Sequence, residues 1–188
     1  MQALRASIIL SLITLAGCGS TPLGEYAGRQ PEFVPSEFFT GYLTAHGVIM
    51  DRGGKVTRQF NADIDASWEN GVGTLDEHFL FDDGETQQRI WTLTPDGDGG
   101  YIGRAGDVVG DGRLEYAGNA VFLDYVLRIP YGDDTIDLRV DDRMYLVDEN
   151  LLINESRLSK FGFHVGTILL TIVRHPGYQQ GLRPVKES

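Results

Sequence analysis

From Pro35 onward apolar and polar residues alternate with a period of two, cut at short intervals by Gly, Asp and Asn, which predicts successive half-buried β-strands. The row is clearest from Val56 to Trp68. Val56, Phe60, Ala62, Ile64, Ala66 and Trp68 share one face, and Thr57, Gln59, Asn61, Asp63 and Asp65 the other, so one side packs on a core and the other meets water. Similar rows are Leu75, Phe79 and Phe81; Trp91 and Leu93; Val121, Leu123, Tyr125, Leu127 and Ile129; and Ile136, Leu138, Val140, Met144 and Leu146. Turns are predicted at Asp82-Asp83-Gly84, Asp96 to Gly100, Asp111-Gly112, Tyr131 to Asp134 and Asp148-Glu149-Asn150, since Gly, Asn and Asp tolerate the positive φ that twisted hairpins require. Short helices are expected at Pro35 to Phe39 and Ser159 to Phe161. About ten strands joined by short loops favour an up-and-down antiparallel meander over a Greek key. A meander of that length closes, because closure removes unpaired edges, so the expectation is an all-β, closed or nearly closed barrel.

Before Pro35 the pattern changes. Arg5 is followed by an apolar run from Ala6 to Ala16 and then by Gly17-Cys18. A run this short falls well below the roughly 20 residues a membrane-spanning helix needs, and it reads as a signal peptide. Leu15-Ala16-Gly17-Cys18 resembles a bacterial lipobox, in which the thiol takes a diacylglycerol and the chain is cut before it. Residue 19 is Gly, whereas Asp there would resemble an inner-membrane retention signal. The expected location is therefore the outer membrane, facing the periplasm. Gly19 to Pro35 has neither hydrophobic period and reads as a spacer able to lift the domain by up to a few tens of ångströms. The expected organisation is a signal peptide over 1–17, lipidated Cys18 and a flexible tether over 18–35, the barrel over 36–174 and a frayed tail over 175–188.

Charge and cysteine content narrow the partners. Acidic residues outnumber basic ones, 27 to 16, for a formal net charge of −11. That excludes a nucleic-acid partner, which needs a basic footprint, and it repels the body from an anionic membrane surface. One cysteine allows no intramolecular disulfide, so packing must supply the stability. There is no Gly-x-Ser-x-Gly elbow, phosphate loop or paired-cysteine site. His46, His78, His164 and His175 lack ligand spacing, and Asp96-Gly97-Asp98-Gly99 lacks the closing Glu of a calcium loop. Asp107 to Asp111 reads as a solvated loop. No metal, cofactor or catalytic residue is expected.

Three charged residues interrupt the apolar rows: Glu77 among Leu75, Phe79 and Phe81, Arg89 in register with Trp91, and Asp142 between Val140 and Met144. If they point inward, burial requires them to pair or to hydrogen-bond. A structural ion pair is the first reading of such residues, and the polar end of a ligand site the second. Trp68, Trp91 and Tyr125 read first as core aromatics. Were a ligand held, Glu77, Arg89, Trp91, Tyr125 and Asp142 would contact it.

Phe39 to Gly47, Gly73-Thr74-Leu75-Asp76-Glu77, Phe81-Asp82-Asp83-Gly84, Arg89-Ile90-Trp91, Ala105 to Gly110, Asp141-Asp142-Arg143-Met144 and Lys160-Phe161-Gly162 together resemble an uncharacterised family of Gram-negative bacterial lipoproteins, over about Phe33 to Arg174. The resemblance implies a lipid-anchored, lipocalin-like (calycin-like) domain and brings no catalytic residues. True lipocalins are more distant, since Gly41 is followed by Tyr42 and Leu43 where their first strand carries Gly-x-Trp. The expected function is binding of a small apolar or amphiphilic molecule, such as a lipid, inside the barrel. Two alternatives stay open: an envelope structural or interaction protein with a filled barrel, and an enzyme using Glu77 or Asp142 as acid or base.

Overall fold

Ten antiparallel strands follow one another round a single sheet: β1 (Gly41–Asp51), β2 (Val56–Glu69), β3 (Val72–Phe81), β4 (Thr86–Pro95), β5 (Tyr101–Arg104), β6 (Gly112–Ala117), β7 (Ala120–Tyr131), β8 (Asp134–Asp148), β9 (Leu151–Lys160) and β10 (Phe163–Arg174). This computed structural model describes residues 21–178; the signal peptide, Cys18 with its neighbour Gly19, and the end of the tail lie outside the described residues. Each strand pairs with its neighbours in sequence, and β1 pairs with β10 from Leu43↔Arg174 to Asp51↔Gly166, which closes the barrel. The predicted rows point inward: Phe60, Ala62, Ile64 and Ala66 of β2 and Leu138, Val140, Met144 and Leu146 of β8 are all buried. Of the two expected helices, only Pro35–Phe38 forms (α1). Ser159 and Lys160 instead finish β9, and Phe161-Gly162 makes a two-residue hairpin turn with φ of 51° and 81°. Two left-handed residues in succession match the twist of the flanking strands, and the helix expectation overlooked that pairing.

The barrel has unlike ends. At one, the chain before β1 forms a plug of Phe33, Phe38 and Phe39, all buried, with Phe33 5.7 Å from both other rings. Pro35 starts α1 with its φ already set for a helix, and Trp68 Nε1 donates to the Phe39 carbonyl at 2.7 Å, pinning the plug to β2. Beneath it Leu43, Leu114, Val121 and Leu152 are sealed from solvent. At the other end the inward-facing Ile49, Phe79, Ile129, Ile136, Ile168 and Leu170 are only half-buried. Around that rim stand the exposed rings of Tyr131, Phe161 (87% exposed) and Phe163 (76%).

The segment read as a spacer is docked along its described length. Arg143 Nη1 donates to the Thr21 carbonyl at 3.1 Å, Tyr26 lies 5.9 Å from Phe122 and 5.4 Å from Tyr145, and Phe33 N donates to the Gly118 carbonyl at 2.7 Å. Gly118 has φ of 53°, and a Cβ there would overlap the Tyr26 carbonyl oxygen, so the β6–β7 turn accepts the strap only as glycine. Tyr26 and Phe33 bind surfaces distant in sequence. The segment's own hydrophobic pattern therefore carries no period.

Candidate functional site

Strand register builds a charged cluster at mid-depth. Glu77 and Arg89 face each other across β3 and β4, with Arg89 Nη1 3.8 Å from Glu77 Oε2. The guanidinium turns its fork to Asp107: Nε and Nη2 donate to Oδ2 at 2.9 and 2.8 Å. Asp107 comes from the β5–β6 loop, which closes the wall where those two strands are too short to reach. Val108 bridges Leu127, Val109 N donates to the Val126 carbonyl and Arg128 N to the Asp107 carbonyl, both at 2.8 Å. The stretch expected to be a solvated loop is thus part of the sheet at its first residues, because β7 has an unpaired edge there for it to satisfy.

Across the interior, Asp142 lies between Leu123 and Ser156 and is 6% exposed. The Tyr125 and Ser156 hydroxyls both reach its carboxyl. Ser156 Oγ, however, also donates to Asn154 Oδ1 at 3.0 Å. One hydroxyl proton cannot fully serve both acceptors, so the Asn154 bond leaves Asp142 leaning on the Tyr125 hydroxyl. Asp142 Oδ1 has no hydrogen-bond partner among the described residues. Trp91 donates its indole N–H to Glu77 and meets Tyr125 edge-on, with ring centroids 5.2 Å apart. The five residues singled out in the sequence, Glu77, Arg89, Trp91, Tyr125 and Asp142, therefore form one cluster.

Burial sets its electrostatics. It pushes Glu77 up to about 7, opposed by Arg89 and reinforced by Asp107 and Asp142. Burial likewise lifts Asp142 to about 6, with hydroxyl hydrogen bonding and the charge of Arg89 pulling the other way. Tyr125 is held well above the usual phenol range, first by burial and then by Asp142. For Arg89 burial pulls downward, but the Asp107 hydrogen bonds and the field of Glu77 outweigh it and keep the guanidinium charged. Glu77 and Arg89 still keep 14% and 19% of their side-chain surface, although both sit mid-barrel and point inward.

Between the cluster and the open end the wall is aromatic. Phe60 lies 5.6 Å from Phe79 and 5.9 Å from Phe81, and the Arg89 guanidinium is 5.5 Å from the Phe79 ring centre. A Cβ on Gly47 would sit 2.5 Å from Phe60 Cζ and 2.7 Å from Leu170 Cβ, so glycine lets Phe60 cross against β10.

Asp107, Asn154 and Ser156 were not anticipated. Asn154 and Ser156 interrupt the row Leu152 to Leu158 as Glu77 interrupts its own, and that signal was readable. Asp107 gave none, because the bridge that places it joins β7 far along the chain.

Two clefts lie outside the barrel. One of about 530 Å³ runs along the outer wall past Arg139, Arg157 and Phe161, and one of about 450 Å³ lies beside Tyr42 and Ser67. Neither touches the cluster. In the larger, Arg139 is already committed to Asp124 at 2.6 Å, so the interior, with an unsatisfied carboxyl oxygen, is the stronger site. Among the described residues no group of three or more His, Cys, Asp or Glu side chains is placed to hold a metal ion.

The closed ten-strand meander with a lined interior defines a lipocalin-like, calycin-type barrel. It superposes on the S-type phycobiliprotein lyase CPES from Guillardia theta with a TM-score of 0.50 and 14% identity, covering 74% of this chain and 89% of that one. It superposes on Rv2717c from M. tuberculosis with a TM-score of 0.50 and 12% identity, covering 73% and 92%. At such identities the likeness is one of fold. By sequence the chain belongs to the family described as "Protein of unknown function (DUF3833)", which matches residues 12–174. No curated protein matches it.

Proposed function

We propose that this chain is a lipid-anchored protein of the bacterial envelope whose barrel takes up a small amphiphile through its open end, with the tail among Phe79, Ile129, Ile168 and Leu170 and the head at Glu77, Arg89 and Asp142. The observation that carries the reading is the inequality of the two ends: a phenylalanine plug seals one, while the other leaves inward apolar side chains half-buried above a charged floor. Apolar residues in place of such a floor would stabilise a merely structural barrel as well or better, because charges lose much of their hydration on burial.

Native mass spectrometry of the protein purified from its own envelope should show a bound small molecule, and added fatty acids, amines or phospholipids should shift its melting temperature. A bare barrel with insensitive melting would favour the interaction-scaffold reading, for which Tyr131, Phe161 and Phe163 offer an exposed surface. The anchor is tested separately. Cys18 is the only thiol, so metabolic labelling with a fatty acid should mark the wild type and leave Cys18→Ser unlabelled. Label retained in the mutant would remove the lipoprotein proposal. Outer-membrane placement follows from Gly19 as an expectation of the same proposal.

A further inference from the structure

We infer that the head group this barrel selects is a cationic amine, an ammonium-bearing amphiphile docked between Glu77 and Asp142 against the faces of Trp91 and Tyr125. The inference rests on the ligand-binding reading above and adds the sign of the ligand's charge. Three carboxyls, Glu77, Asp107 and Asp142, surround one guanidinium. Arg89 has committed its Nε and Nη2 to Asp107 and reaches Glu77 only at 3.8 Å. Asp142 Oδ1 is buried, and it lacks a donor among the described residues. An ammonium N–H supplies both things the cluster lacks, a positive charge and a donor, and the Trp91 and Tyr125 rings stabilise a cation over their faces. A carboxylate or phosphate head would meet two uncompensated acids, with the only nearby cation already engaged.

Every titratable or charged group facing the head bears on its pH dependence. These are Glu77 on β3, Arg89 on β4, Asp107 in the β5–β6 loop, Tyr125 on β7 and Asp142 on β8; β9 contributes only the neutral Asn154 and Ser156. Between pH 5 and pH 8 the groups that change are Glu77 and Asp142, which ionise. A primary alkylammonium, charged throughout this range, therefore binds more tightly at the higher pH.

The test uses the full chain in nanodiscs, with empty nanodiscs subtracted, titrated with three probes of equal tail length: dodecylammonium, dodecanoate and dodecanol. The ammonium should bind about ten-fold or more tighter than the carboxylate at pH 8, and its affinity should fall by a similar factor at pH 5. In Glu77→Gln with Asp142→Asn, with circular dichroism as the check on folding, the preference for the ammonium should disappear. Carboxylate or alcohol binding as tight as the ammonium, an ammonium affinity independent of pH, or a preference that survives the double substitution would overturn the inference and leave the ligand-binding reading in place. No binding of any probe would overturn both.

Discussion

Raising the pH from 5 to 8 lowers the melting temperature of this protein by on the order of 10 °C. The cause is the pair of inward acids, Glu77 at about 7 and Asp142 at about 6, against ordinary values of 4.5 and 3.8. Between the ordinary and the raised values the folded chain holds protons that the unfolded chain has released. Unfolding then releases protons, so their contribution is complete below the ordinary values and is lost as pH rises through 6 and 7. At about 1.4 kcal/mol per unit, the rise from pH 5 costs about 3 kcal/mol through Glu77 and about half that through Asp142, and the two together cost less than the sum because each feels the other's charge. Glu77→Gln should flatten the slope. At the acid end the sign reverses: Asp83, Glu85, Asp96 and Asp137 are held below their usual range by hydrogen bonds from Arg58, Gln87, the Asp98 backbone and Arg128 respectively, and their contributions fade as they protonate. Stability should therefore peak in mildly acidic solution. A melting temperature that is flat or rising from pH 5 to pH 8 would show that Glu77 and Asp142 are hydrated in the folded protein.

Phe33→Ala should cost about 3 to 5 kcal/mol, read as a lower urea midpoint with an unchanged slope. The ring is fully buried and touches Phe38, Phe39 and Tyr116, so its removal leaves a cavity at the sealed end and loosens the seat of α1. The control is Phe161→Ala. That ring is as large, stands on the opposite rim in water, and should change stability by less than about 0.5 kcal/mol. Equal effects from the two substitutions would mean that the plug is no part of the core.

The period-two rows were enough to predict the barrel because each strand buries one face against a shared interior, and rows such as Phe60 to Ala66 need no tertiary knowledge to be read. The charged breaks in those rows located Glu77, Arg89 and Asp142 for the same reason: inward positions recur every second residue, so a charge found there is conspicuous. What stayed hidden depends on pairing between distant segments. Tyr26 and Phe33 are held by β6, β7 and β8, and Asp107 by a bridge to β7, so neither the strap nor the third carboxyl leaves a local pattern. The sealed and open ends were equally illegible, since Phe33, Phe38 and Phe39 read like any aromatic cluster until their position over one end is seen.

The docked strap also bears on how the barrel would sit in the cell. Thr21 is held at the β8 wall by Arg143, and Cys18 precedes it by three residues. With acyl chains on Cys18, the leash available is about 10 Å at full extension. The body would then be held close to the bilayer by its β8 wall. Phe161 and Phe163 stand exposed on the open rim, beside the wall that carries this attachment. An amphiphile leaving the bilayer would have only a short distance to cover before meeting the barrel.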